Sequence, residues 1–522
     1  MILPGVVRAF LKLVPRINRA CSYLRALSRL YADPMRSVVS SFPSSRSLLL
    51  ACLLSVSFST SSAATQTARD ASLPPVQVQR VVRPGVTVPG TPAQFNASIT
   101  VRYGAARPQR ILILMPGLFG GAGSLDRLAR QIVLADPETG VWAVDRRSNL
   151  LESGDQLLKM NTAELSSVAK TGLTPTAPAQ VAYMKDWGLD TALRDVRAAV
   201  LEAHTLAPRV YLGGHSLGGV LTGLYAAYDF GGQPGFRDVS GLVLLDGAPG
   251  ITASAALTLQ QYQNGFDAAV VKTAGLNTLA ANPYIAADFF SPRRASQGVA
   301  QALLAARSPN TLSPGTLTSY PATNLAAALI QVQSRYAPLP FLAVTAGHAS
   351  NVNELGSLPA VFAKLLVGPL LGHNAALASL LNVHAVAGPQ NPAQPVGWVN
   401  DAKAITDPLN FVQNYALPTG DYTEWYFPQR LALDVLAARL NTRGTPFERL
   451  LPVIHNPQVT LPVLGISAGN GITDESDFRN YARSNHAALS VVTLPGYAHL
   501  DVTAAISDTV ARQIVAWLKL HP

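Results

Sequence analysis

The sequence predicts an α/β protein built on a mostly parallel sheet flanked by helices, and three observations carry that prediction. Short runs that are apolar throughout, such as RILILM at 110–115 and GLVLL at 241–245, alternate with stretches of helical periodicity. Strands of that kind are buried on both faces, as they are when helices cover a parallel sheet on each side. One such run, Val210-Tyr211-Leu212, leads through the turn GGHSLGG straight into the apolar helical pattern VLTGLYAAYDF. Runs of the same type return near the C-terminus, LPVLGIS at 461–467 and Leu489 to Leu494, after a long interval with a different texture.

The elements follow in order. Residues 67–94 are rich in Pro and Val and read as a linker entering an edge strand. Phe95 to Tyr103 (FNASITVRY) alternates apolar and polar residues, the period of a half-exposed strand. It contains the sequon Asn96-Ala97-Ser98, meaningful only in a eukaryotic secretory pathway. The run 110–115 breaks at Pro116-Gly117-Leu118-Phe119-Gly120-Gly121, and a helix from Ser124 to Ala135 follows with Ser124 as its N-cap. Val141 to Val144 is the next strand, and Tyr183 to Ala207 reads as one long helix before the strand at 210–212. The strand at 241–245 ends at Asp246-Gly247-Ala248-Pro249. Within 251–457, helices are expected at 358–366 and 429–440 and a strand at 341–345, with AKLLVGPLLG at 363–372 as buried core of that segment.

Composition bounds the function. The chain has 522 residues, 48% hydrophobic and 13% charged, enough to bury a large core. Its net charge of +10 suggests a polyanionic partner until the distribution is considered. The segment before residue 65 has eight basic residues and the single acid Asp33, so it supplies +7 of the total. The remainder is near neutral, and no nucleic-acid partner is expected. Leu48 to Phe58 is a short apolar run after Arg36 and Arg46, ending in the small residues Ser62-Ala63-Ala64. That is the layout of a signal peptide beginning at Met35, and it predicts a secreted or periplasmic protein lacking residues 1–64. The competing readings are an organelle-targeting segment and a lipid-modified Cys52. Cys21 and Cys52 both fall in that segment, so the mature chain would hold no disulfide and no thiolate site. No apolar run is long enough for a stable membrane span in the mature chain.

The chemistry concentrates at 214–218. A G-x-S-x-G between strand and helix is a nucleophile elbow, where Ser216 stands on a sharp turn and Gly214 and Gly218 are required because side chains there would meet backbone. The N–H of Leu217 opens the helix and can face a developing anion. A serine hydroxyl needs a base. His215 is adjacent, but as the variable residue of the elbow it points away from the task.

These stretches, taken together, resemble the α/β-hydrolase family. RILILMPGLFGG resembles its third strand and oxyanion loop, VWAVD its fourth strand, RVYLGGHSLGG its fifth with the nucleophile, and GLVLLDGAPG its sixth. LPVLGIS resembles the seventh strand, PGYAHLD the histidine loop after the eighth, and 502–518 the closing helix. Six motifs in the family's order cover about half of the chain. The resemblance implies a division into a first core part at 65–250, a large and mainly helical cap inserted between strands six and seven at 251–457, and a second core part at 458–522. It implies His499 as the base, with His348 and His373 as possible pocket residues of the cap. It places the second oxyanion donor at Leu118, although Pro116-Gly117 stands where the family commonly has His-Gly.

The triad acid is expected to be Asp246, with Asp474 as the alternative. The family most often keeps it after the seventh strand, where Asn470 falls nearest the position and Asp474 lies just beyond it. Some members keep it after the sixth strand, which would be Asp246. Neither metal-ligand spacing nor a phosphate-binding glycine loop occurs, so no cofactor and no metal are expected. The resulting expectation is an exported serine hydrolase cleaving an apolar small-molecule ester. Peptidase, amidase or lactonase action, or a non-catalytic binding role on the same scaffold, are the alternatives. The oligomeric state is not legible.

Overall fold

The computed structural model describes residues 73–521, apart from 251–256, 269–270, 288–289, 316, 338–342, 358–383, 402–403 and 417–419. The expected signal segment with Cys21 and Cys52, the helix at 358–366, the run at 363–372 and His373 therefore lie outside the described residues.

Eight strands form one sheet: β1 (Val78–Pro84), β2 (Ala97–Tyr103), β3 (Arg110–Met115), β4 (Thr139–Asp145), β5 (Arg209–His215), β6 (Leu242–Leu245), β7 (Val463–Ala468) and β8 (Leu489–Leu494). Their spatial order is β1-β2-β4-β3-β5-β6-β7-β8. The pairings of β1 with β2 and β2 with β4 are antiparallel, and every later one is parallel. The register sets the C-terminal ends of the parallel strands along one edge: Met115 lies beside Gly214, His215 beside Leu245, and Leu245 beside Ile466. The loops leaving that edge carry Leu118, Ser216, Asp246, Asp474 and His499.

Helices cover both faces. On one lie α1 (Asp126–Ala135) and the last helix, α6 (Thr509–Leu520), whose Leu128, Ile132, Ile514 and Leu518 pack against Leu112, Leu114 and Val243. On the other lie α2 (Leu189–Ala203) and α3 (Leu217–Ala227). The segment between β6 and β7 contributes to this second face as well: α4 (Gln429–Ala438) adds Leu431 and Val435 to the cluster of Ile113, Leu193 and Leu221. The insertion is thus continuous with the main core, and the chain from Ala68 to Pro522 is one compact unit. Besides helices such as Pro292–Arg307 and Pro408–Ala416, the described residues of the insertion hold three antiparallel strand pairs, 266–268 with 271–273, 348–350 with 397–399, and 352–357 with 384–389. The strand expected at 341–345 is, over its described residues, one isolated bridge between Val344 and Gln333.

Four local expectations are corrected, each for a physical reason. Strand β2 is buried on both faces, not half-exposed, because α2 lies on one and α1 on the other: its Ser98 hydroxyl donates to the Asp195 carbonyl at 2.7 Å, its Tyr103 hydroxyl donates to Asp126 Oδ1 at 2.9 Å, and the Arg102 guanidinium covers the Trp142 ring at 3.7 Å. The long helix at 183–207 is a 3₁₀ segment (Pro178–Asp186) and then α2, with the break at Trp187-Gly188. There Asp434 of the insertion accepts the Leu189 N–H at 2.9 Å and caps α2, and a Cβ on residue 188 would lie 2.1 Å from that carboxylate. Ser124 is not an N-cap: its hydroxyl donates to the Gly121 carbonyl, and the chain enters α1 through a 3₁₀ turn. The closing helix is split into Asp501–Ala504 and α6 because the Ala505 carbonyl is taken by Arg127 Nε at 2.7 Å and Gln131 Nε2 at 3.0 Å.

Candidate active site

Ser216 occupies the turn between β5 and α3 with φ 58° and ψ −122°, a conformation that a non-glycine residue adopts only under constraint. The constraint is visible in the surrounding glycines. A Cβ at 214 would lie 2.3 Å from Gly218 backbone, one at 218 would lie 2.0 Å from the Met115 carbonyl, and one at 247 would lie 2.0 Å from the Ser216 carbonyl. The Ser216 N–H is tied to Leu245 O at 2.9 Å, which anchors the elbow to β6.

The loop after β6 brings Asp246 beneath the histidine loop. Asp246 Oδ2 accepts from His499 Nδ1 at 2.6 Å and from the Ile472 N–H at 3.1 Å. Its Oδ1 accepts from the Thr473 hydroxyl at 2.7 Å and from the N–H groups of Ala468 and Thr473, each at 3.2 Å. Burial pushes this carboxyl up, but the bonds and charge of His499 and the Thr473 hydroxyl outweigh it and hold Asp246 below the usual carboxylate range. The acceptance of Nδ1–H by the carboxylate leaves His499 Nε2 with its lone pair free for a proton.

The stretch SAGNGITD after β7 therefore supplies hydrogen-bond donors to Asp246, and the carboxylate that meets His499 comes from the loop after β6. Gly471 is what allows it, since a Cβ there would lie 2.1 Å from Asp246 Oδ2. Asp474 stands apart as the N-cap of α5 (Glu475–Asn485), accepting from the Ser476 N–H at 2.7 Å. Asn470 bonds the Gly496 carbonyl at 3.2 Å. His348 is exposed on the insertion, 4.0 Å from Asp401.

His215 is directed at the histidine loop. Its ring lies 4.3 Å from that of His499, and its Nε2–H donates to the His499 carbonyl at 3.0 Å. Burial first, and then the neighbouring His499, lower its pKa to about 3, so it is a neutral brace for the base. A second brace is Asp501, fully buried, which accepts from the Ala498 N–H at 2.8 Å, the Thr345 N–H at 2.9 Å and the Thr406 hydroxyl at 2.7 Å. Sequence reasoning gave Asp501 no role, although its place two residues after the histidine was the available signal.

On the other side of Ser216 lies the loop after β3. A Cβ on Gly117 would be 3.0 Å from Ser216 Cβ and 3.5 Å from Oγ, so any side chain there would crowd Ser216. Among the described residues, the N–H groups of Leu118 and Leu217 donate to nothing. Phe119 follows with φ 58°, its ring stacked on Phe290 at 3.7 Å. The arrangement can therefore supply a nucleophile, a base paired to an anionic acid, and two unused backbone donors. No group of three or more metal-ligating side chains occurs among the described residues, and no described helix is long and apolar enough to cross a membrane.

No family model and no curated protein matches the chain. Solved structures with a similar chain path include a candidate lipase from Sulfolobus solfataricus (14% identity, 85% of this chain and 94% of that one, TM-score 0.44). Others are epoxide hydrolase A from Mycobacterium thermoresistibile (12%, 84% and 98%, TM-score 0.39) and a soluble variant of monoglyceride lipase from Saccharomyces cerevisiae in complex with a substrate analog (12%, 86% and 95%, TM-score 0.33). At these scores the likeness assigns no activity. The order and direction of the eight strands, with a strained serine elbow after the fifth and a histidine loop after the eighth, are those of the α/β-hydrolase fold.

Proposed function

We propose that this chain is a serine hydrolase that cleaves carboxylic esters through an acyl-enzyme. The observation that carries the reading is the 2.6 Å bond from His499 to a fully buried, multiply hydrogen-bonded Asp246, beside a strained Ser216. In the proposed cycle His499 Nε2 takes the proton of the Ser216 hydroxyl as Oγ attacks the ester carbonyl. The oxyanion lies between the N–H groups of Leu118 and Leu217, each such donor contributing about 2.7–4 kcal/mol of transition-state stabilisation. His499 then passes the proton to the leaving alkoxide, and a water activated by the same nitrogen releases the acid. Asp246 stays ionised throughout and stabilises the imidazolium.

An aspartate nucleophile, as an epoxide or haloalkane hydrolase would need, is absent from the elbow. An apolar acyl or aryl substrate is proposed because Leu118 is 46% exposed beside the donor position and the Phe119–Phe290 stack adjoins it. Export is proposed on the N-terminal sequence alone. The test is a series of p-nitrophenyl esters of increasing chain length, run on the chain without residues 1–64 and on its Ser216→Ala variant. Turnover that Ser216→Ala abolishes supports the reading, and a wild-type protein inert to the whole series refutes it.

A further inference from the structure

The oxyanion loop is gripped from behind by one buried guanidinium. Arg146, just past the end of β4, has a side chain 9% exposed. Its Nη2 donates to the Pro116 carbonyl at 2.9 Å and the Gly117 carbonyl at 3.3 Å, and its Nη1 donates to the Gly120 carbonyl at 3.2 Å. Nη1 also reaches Glu424 Oε2 at 2.5 Å, and the guanidinium lies over the Phe427 ring at 5.3 Å. Glu424 belongs to the insertion and is fully buried; its other oxygen accepts from the Ser148 hydroxyl, and its N–H donates to the Phe119 carbonyl at 2.9 Å. Residues 421–424 run along the loop like an added strand, with the Gly121 N–H on Tyr422 O at 3.0 Å and the Gly123 N–H on Asp421 O at 2.9 Å.

Peptide geometry turns this grip into a statement about catalysis. No described peptide bond is cis, and in a trans peptide the C=O and the following N–H point to opposite sides of the chain. Fixing the Gly117 carbonyl on Arg146 therefore fixes the Leu118 N–H on the face opposite Arg146. Gly117 itself lies against Ser216. The same Gly117 carbonyl also accepts the Gly120 N–H at 3.2 Å across the turn, and a flipped 117–118 peptide would break both bonds and present a carbonyl to the oxyanion in place of a donor. The planar fork matters because it engages three carbonyls and a carboxylate at once.

We propose that Arg146, held by Glu424 of the insertion, is the positioning residue that keeps the Leu118 N–H aimed into the oxyanion hole. The insertion is thereby a fixed part of the catalytic machinery and not a removable cover. This rests on the serine-hydrolase reading above.

The test uses the full mature chain and Arg146→Lys, which keeps a cation beside Glu424 but replaces the fork with a single ammonium. Because the three-carbonyl grip is lost, kcat per titrated active site is expected to fall about 10–100-fold, up to the loss of one oxyanion donor, with KM near the wild-type value. The Ki of a trifluoromethyl ketone, whose hemiketal with Ser216 places an oxyanion in the hole, is expected to rise by the same factor. Glu424→Gln keeps the shape of the partner, is expected to shift both quantities the same way by less, and carries the test if Arg146→Lys fails to fold. A merely structural role would lower the melting temperature and the titratable fraction while leaving kcat per site and Ki unchanged. That result overturns the proposal and leaves the hydrolase reading standing. A wild-type chain that turns over no ester and binds no ketone overturns both.

Discussion

Replacing Asp246 by Asn changes one atom, and the structure says which way the amide will turn. Oδ1 receives three donors, from Ala468, from the Thr473 N–H and from the Thr473 hydroxyl, whereas Oδ2 receives two, from Ile472 and His499. An NH2 placed at the first position would confront three donors, so it takes the second. There it donates to His499 Nδ1 and forces the ring proton onto Nε2, the nitrogen that accepts the Ser216 proton in the proposed cycle. The base is then held in the wrong tautomer, for which a loss of about 10⁴ in kcat is the expected scale. The partly buried Ile472 N–H is left without its acceptor, at a cost of at most about 1–3 kcal/mol in stability, so a folded but inactive protein is expected. The assay is kcat on a p-nitrophenyl ester beside a thermal melt, with Asp474→Asn as the comparison. Asn caps a helix about as well as Asp does, so that variant should keep wild-type kcat. An Asp246→Asn enzyme within tenfold of wild type, or an inactive and folded Asp474→Asn, would refute the reasoning.

Three further outcomes follow from the same geometry. Gly471→Ala puts a methyl where Asp246 Oδ2 lies 2.1 Å away, so the donor loop must shift; lower kcat and a loss of about 1–3 kcal/mol in a denaturant titration are expected. His215, with its pKa lowered to about 3, refuses the proton that an unfolded histidine takes up near pH 6.5, so its contribution to stability declines as pH falls below about 6.5. The melting-temperature difference between wild type and His215→Phe should narrow in that direction, and a difference flat across pH 4.5–7.5 would count against it. Asp145 is buried, its Oδ2 accepts no hydrogen bond, and it shares Arg80 with Asp421 at 3.9 and 3.8 Å; burial, then the Asp421 charge, raises its carboxyl pKa. The unfolded chain sheds that proton near pH 4 while the folded one keeps it, so this group lowers stability as pH rises from about 4. Asp145→Asn should gain in melting temperature relative to wild type between pH 5 and pH 8, and a relative loss would contradict the sign.

What could be read from the sequence was what depends on short-range pattern. The strands at 110–115 and 489–494 coincide with their apolar runs, and the elbow glycines collide with backbone as the motif requires. Errors came where a distant residue intervenes. Asp434 breaks the helix at Gly188, and Arg127 with Gln131 splits the last helix, each from far along the chain. Asp474 remains an alternative to Asp246 in the sequence because both follow a strand at the same sheet edge. What separates them is the turn at Gly471, which points the loop after β7 at Asp246 with its N–H groups. The roles of Arg146 and Glu424 had no local signature: the pair is separated by most of the chain and meets only when the insertion lies along the oxyanion loop.

The central claim is that Ser216 is a nucleophile made reactive by His499 and Asp246. Its most direct test is to treat the full mature chain with a fluorophosphonate, measure the intact mass and map the modified peptide. The predicted result is one adduct per chain on the peptide carrying Ser216, absent from Ser216→Ala and greatly slowed in Asp246→Asn. An unmodified wild-type chain, or an adduct on another residue, would contradict the claim.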